Sequence, residues 1–314
     1  MNLLQKILLI GTASAACAGF VRADSTSVVD VDTAQLKTVA DAVPLGNVTI
    51  VLESLTRDVQ TPAGHALWRE VIRRWAAARP VAAALWAQSL PAGKLQAEAR
   101  LIAAIAWANA DGTAAVKWVS RWPADDVRTN ALVTVGYEVA RARPLDALAL
   151  AAKLPASPAT TDLMVRAVSQ WAASDPQAAA AWAKQNGDAA LRGRLVLEVV
   201  NSWSESDPAA AAALALSALP SGRRQDDAVV AIVQRWVQRD PVSAAEWVAS
   251  FPAGSLRDTA VSDLVALWTG KDAARAGEWL KKLPAGKLKD AARAAFIERA
   301  KTASPQLAAQ MSSL

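Results

Sequence analysis

The sequence predicts an all-α chain: an α-solenoid of about seven stacked helical hairpins with an atypical amino-terminal capping unit. Three observations predict it. A tryptophan-rich column recurs every 32 residues with one interval of 33, proline breakers fall at two fixed places in most units, and apolar residues between breakers follow helical spacing. A hairpin of roughly 30 residues cannot bury its apolar face alone and must stack on its neighbours.

At the start, Met1 to Lys6 carry one positive charge and no acid, a small and apolar run extends from Ile7 to Val21, and Val21-Arg22-Ala23 offers small residues where a signal peptidase cuts. Residues 1–23 resemble a secretory signal peptide, with Asp24 as the mature start and the periplasm or the exterior as destination. The run of 15 residues is shorter than the ~20 a spanning helix needs, and no later run is as long, so no transmembrane segment is expected. Ser14-Ala15-Ala16-Cys17 lacks the large aliphatic residue that precedes a lipidated cysteine, which argues against a lipid anchor at Cys17.

Removing that segment takes away Lys6 and Arg22 and no acid, which lowers 34 basic residues to 32 against 29 acidic ones. The resulting net charge of +3, without a basic stripe, argues against nucleic acid as a partner. Cys17 is the single cysteine, so the processed chain has no disulfide and depends on packing.

Residues 24–33 have no helical period and read as a flexible lead. Residues 34–74 form the capping unit and the first long helix. Thr61-Pro62 parallels the later breakers, but 13 residues separate Pro62 from Trp75 where 16 separate Pro91 from Trp107, so this helix is expected to be one turn short.

Modules then start at 75, 107, 139, 171, 203, 236 and 268, with a half repeat over 300–314. The first column reads Trp75, Trp107, Val139, Trp171, Trp203, Trp236, Trp268 and Ala300. Eleven residues later come Trp86, Trp118, Leu150, Trp182, Leu214, Trp247 and Trp279. Between them Asp111, Asp175, Asp207, Asp240 and Asp272 stand before a proline or its substitute, where an aspartate accepts from free first-turn amides. Each short helix then ends at a second breaker such as Leu90-Pro91, Trp122-Pro123, Leu219-Pro220 or Phe251-Pro252, and Asn186-Gly187 serves in the fourth module. The long helix follows, as in Leu256, Ala260, Val261, Leu264, Val265 and Trp268. The extra residue of the fifth module falls within Ala209 to Ala218, and the third module, with Val139 and Leu150, is expected to form a thinner layer.

The string Asp-Pro-x-x-Ala-x-x-Trp at 240–247 resembles the join between tetratricopeptide repeats, and the stacked hairpins resemble HEAT-type repeats. The Trp-x4-Pro-x5-Trp-x4-Pro pattern over residues 61–314 is most similar to exported bacterial α-solenoid proteins. That resemblance implies a fold and no activity.

Catalytic, metal and cofactor motifs are scarce, and the chain is expected to be no enzyme and to carry no cofactor. His65 has no second histidine or cysteine to complete a metal site or triad and reads as a surface or capping residue. Asp125-Asp126 and Asp226-Asp227 stand where acids favour a helix start, and Ser221-Gly222-Arg223-Arg224 lacks the strand and glycine pattern of a phosphate loop. The 13 tryptophans suggest a cell-wall or glycan platform, but column tryptophans opposite Ala83, Ala179, Ala244 and Ala276 read better as core, leaving Trp68 and Trp122 as candidates for exposure.

What remains is a scaffold binding a protein or peptide on an elongated face. Long helices carry a second stripe at i, i+4 and i+7 whose chemistry changes freely: Asn130, Thr134 and Tyr137, then Asp162, Arg166 and Ser169, then Arg194, Glu198 and Asn201, then Asp227, Ala231 and Gln234. A plain solvated face has the same composition. The alternative face is on the short helices, near Lys117, Arg121, Lys153 and Lys184.

Overall fold

The computed structural model describes residues 33–57 and 59–312. The expected signal segment, Cys17 and the lead before Thr33 lie outside the described residues. Within them there are sixteen helices and no strand, in two compact units that divide between Leu163 and Met164.

The first unit contains α1 (Thr33–Asp41), α2 (Val48–Thr56), α3 (Pro62–Ala78), α4 (Pro80–Ser89), α5 (Lys94–Val119), α6 (Asp126–Ala142), α7 (Pro144–Ala151) and the start of α8 (Pro158–Ser174). Packing runs in chain order. α3 lies against α1, α2, α4 and α5, then α5 against α6, and α6 against α7. The second unit holds the rest of α8, then α9 (Pro176–Ala183), α10 (Ala189–Trp203), α11 (Pro208–Ala218), α12 (Arg223–Arg239), α13 (Pro241–Ala249), α14 (Ser255–Lys282), α15 (Lys287–Ala303) and α16 (Pro305–Ser312). Here too successive helices pack on one another from α9 to α16.

All five aspartates of the first cap column accept from the amide three residues on: Asp111 from Ala114 at 3.0 Å, Asp175 from Ala178 at 3.0 Å, Asp207 from Ala210 at 2.9 Å, Asp240 from Ser243 at 3.1 Å and Asp272 from Arg275 at 3.0 Å. Gly112 and Ala273 replace the proline that follows, so α5 and α14 run on across the joint. The bend survives in them, because Asp111 (φ −147°, ψ 90°) and Asp272 (φ −153°, ψ 84°) leave helical geometry. Long helices start on Thr61, Asp125, Ser157 or Asp188, each accepting in the same way, or on glycine. Gly222 and Gly286, at φ +132° and +141°, hold a conformation that favours glycine.

Replacing Asp240 by alanine is expected to cost about 1 kcal/mol. The Ser243 hydroxyl and amide hold the Asp240 carboxyl below its ordinary value of 3.8. A depressed carboxylate stabilises fully above the unfolded value, and that contribution is lost as pH falls through the folded one. The melting temperatures of the wild type and Asp240→Ala should therefore converge in acid and separate at neutral pH.

Three expectations need correction. The first long helix is not short: α3 has 17 residues, as many as α6, α8, α12 and α15. Thr61-Pro62 supplies the helix cap and first turn, whereas Pro91, Pro123 and Pro252 stand three residues ahead of their helices. Trp68 and Trp122 are buried, at 0% and 6% exposure. Trp68 occupies the long-helix position that Leu132, Val196, Val229 and Val261 fill in later modules, and Trp122 the place of Leu219 and Phe251 before a breaker proline. Finally, most column tryptophans are half-buried; among the full modules only Trp75 and Trp268 are buried. They meet in pairs where long helix turns into short, with ring centroids 5.7 Å apart for Trp75 and Trp86 and 5.9 Å for Trp268 and Trp279. Beneath them the core is aliphatic, built from residues such as Ala83, Leu195, Val199, Val233 and Leu264.

The third module is drawn in. A β-carbon on Gly112 would lie 2.7 Å from Val139 Cγ2, and one on Gly136 would lie 2.6 Å from Leu163 Cδ2. A larger residue at either position would require the facing Val139 or Leu163 side chain to shift.

One repeating device has no counterpart among the sequence expectations. The third residue of a long helix reaches back to the last carbonyls of the preceding short segment. Gln225 Nε2 donates to Leu216 O at 2.9 Å and Leu219 O at 3.1 Å, Gln96 Nε2 to Leu90 O at 2.6 Å, and Lys289 Nζ to Leu283 O at 3.0 Å. Carbonyls at the end of a helix lack an intrahelical donor, and in these three modules a side chain at one repeat position supplies it.

Candidate functional site

The long-helix stripe is presented separately by each unit. In the first, Asn130 on α6 is exposed and Thr134 and Tyr137 are half-buried, while Asp162 on α8 is exposed. The Thr134 hydroxyl donates to Asn130 O at 2.8 Å, so this side chain is turned onto its own helix. In the second, Arg166 is exposed and Ser169 half-buried on α8, and Arg194 and Asn201 are exposed and Glu198 half-buried on α10. On α12, Asp227 and Gln234 are exposed, and Gln234 Nε2 donates to Asp263 Oδ2 on α14 at 2.9 Å. Buried residues of α10 are Gly193 and the aliphatic Leu195, Val196, Val199 and Val200.

Counting back 32 residues from Asn130, Thr134 and Tyr137 gives Glu98, Ile102 and Ile105 on α5, and a further 32 gives Ala66, Glu70 and Arg73 on α3. Five of these six positions, all but Glu98, line a groove of about 990 Å³ between α1, α3 and α5. The same register that defines the stripe from the second module onward thus reaches a concave surface in the first. Reading the stripe forward from Asn130 misses it; subtracting one repeat finds it.

The floor of this groove is apolar, from Ile102, Ile105 and Ala106, and Lys37, Arg69 and Arg73 ring it with Glu70. Arg73 Nε donates to Glu70 Oε2 at 2.8 Å, and a second contact joins Arg73 Nη2 to Glu70 Oε1. Arg73 holds the Glu70 carboxyl below the usual carboxylate range, and the same bond raises the Arg73 guanidinium. Beside it, Glu98 is bracketed by His65 at 2.8 Å and Arg69 at 3.1 Å. His65, expected at the surface or at a cap, is therefore half-buried in a charge cluster that ties α3 to α5.

Among the described residues no group of three or more histidine, cysteine, aspartate or glutamate side chains is placed to hold a metal, and no helix is long and apolar enough to cross a membrane. Asp125 caps α6, Asp227 lies 3.8 Å from Arg223, and α12 begins directly after Gly222. No family model, curated protein or solved structure matches the chain. The burial of Trp68 and Trp122 removes the two residues that led the glycan reading.

Proposed function

We propose that this protein is an exported, non-enzymatic α-solenoid scaffold that binds a protein or peptide segment along the long-helix stripe. The observation that carries the reading is the groove on α1, α3 and α5, because positions in register with the polar stripe form its walls and two isoleucines its floor. Within the first unit, an extended segment laid along the stripe would place an apolar side chain over Ile105 and polar groups along Asn130, Thr134 and Tyr137. Stacked hairpins suit this task, since each adds a few distinct contacts to a semi-rigid surface. The export half of the reading rests on the resemblance of residues 1–23 to a signal peptide.

Both halves are tested together by capture from native envelope. The bait recovered from that fraction should begin at Asp24. Charge reversals Arg166→Glu and Glu198→Arg, and Ile105→Glu in the groove, should each abolish capture of the partner while leaving the melting temperature unchanged. A bait that keeps Met1 would refute export. Capture that survives all three changes and Tyr137→Ala would move the binding face to the short helices near Lys117, Arg121, Lys153 and Lys184.

A further inference from the structure

We infer that the second and third modules hold between them a separate binding pocket for a small amphiphilic anion, a molecule with an apolar body and a single acidic head. It shares no residue with the long-helix stripe, and of the alternative short-helix face it includes Lys153 alone. The pocket, of about 660 Å³, lies between the short segment of α5, α6 and α7. This is within the range of sites that enclose small molecules.

Its origin is the break in the repeat. Five modules pair two indoles at this point, and in the neighbouring second module Trp107 and Trp118 lie with centroids 5.7 Å apart. The third module has Val139 and Leu150 in those columns, and both line the pocket. Part of the lost volume is recovered by close approach, as the contact between Gly112 and Val139 shows; the rest is left open.

The walls decide the ligand class. Val116, Leu132, Val139, Leu150 and Leu154 give the pocket an apolar lining, and its charged groups are Arg128, Arg143, Lys153 and one acid, Asp146. That acid is already engaged, with Arg143 Nη1 3.4 Å from Asp146 Oδ2 and 2.7 Å from Thr113 Oγ1. Arg128 reaches only a carbonyl, Trp122 O at 3.4 Å, and neither it nor Lys153 makes an ion pair among the described residues. Two uncompensated cations over an aliphatic cavity favour an anionic head above an apolar body and disfavour a cationic one.

Isothermal titration of the full chain with decanoate and with decyltrimethylammonium, both below their micellar concentrations, tests the inference. Decanoate should bind at one site and the cation should not. Lys153→Glu should weaken decanoate at least tenfold. Ala149→Trp, at an exposed lining position, should block the pocket without touching the core, and circular dichroism should show both variants folded. The inference is overturned if decanoate does not bind, if the cation binds equally well, or if folded Lys153→Glu and Ala149→Trp bind decanoate as the wild type does.

Discussion

Trp68→Ala is expected to destabilise the first unit by about 3–5 kcal/mol, the range for deleting a large buried aromatic. The indole is fully buried on α3, with ring centroids 6.4 Å from Trp86 and 6.1 Å from His65. Alanine would leave a void that α3 cannot close without shifting, since Val71, Ile72 and Leu52 are buried around the same core. Trp68 Nε1 is buried with no hydrogen-bond partner, so the loss is one of packing. Trp68→Phe keeps much of the volume and drops the unpartnered N–H, and should cost far less. Trp236→Ala should also cost less than Trp68→Ala, because that ring is half-buried and lies 5.7 Å from Trp247 at the edge of its hairpin. Urea unfolding followed by circular dichroism compares the three variants. An equal loss at Trp68 and Trp236 would contradict this assignment of the core.

Gln225→Ala should give the next largest loss, about 1–3 kcal/mol, the cost of leaving buried carbonyls without a donor. Gln225 is 8% exposed, and its amide nitrogen donates to Leu216 O and Leu219 O at the end of α11, with a longer contact to Ala215 O, which also accepts from Leu219 N. Gln96→Ala, at the same position where the site is half-open to water, should cost less because solvent can replace the lost donor. The same unfolding experiment reads both. A Gln225→Ala protein as stable as the wild type would mean that those carbonyls are satisfied otherwise.

These two residues also show where the sequence could be read and where it could not. Helix boundaries were legible because capping is local. Asp240 and its four equivalents need only a backbone three residues away, and the structure places every one of them at the amide their position implies. Trp68 was misjudged because it lies outside both tryptophan columns, and its residue type outweighed its position. Its register, shared with Leu132 and Val196, pointed to the core. The length of α3 was misread for a related reason: a proline can end one helix or open the next, and only the cap on Thr61 distinguishes the two. The Gln225 device was invisible because glutamine at 96 and 225 and lysine at 289 do the same work, so the column has no common residue type. The groove at Ile102 and Ile105 was missed because the stripe was sought among polar residues, and in the first module it turns apolar.

The central claim is that a partner lies along the long helices, and site-specific photo-crosslinking in the native envelope tests it most directly. A benzophenone amino acid would be placed singly at Ile105, Tyr137, Arg166 and Arg194 on the stripe, and at Lys117 and Lys184 on the short helices. The account predicts one common adduct from the four stripe positions and none from the two short-helix positions. An adduct from Lys117 and Lys184, with none from the stripe, would contradict it.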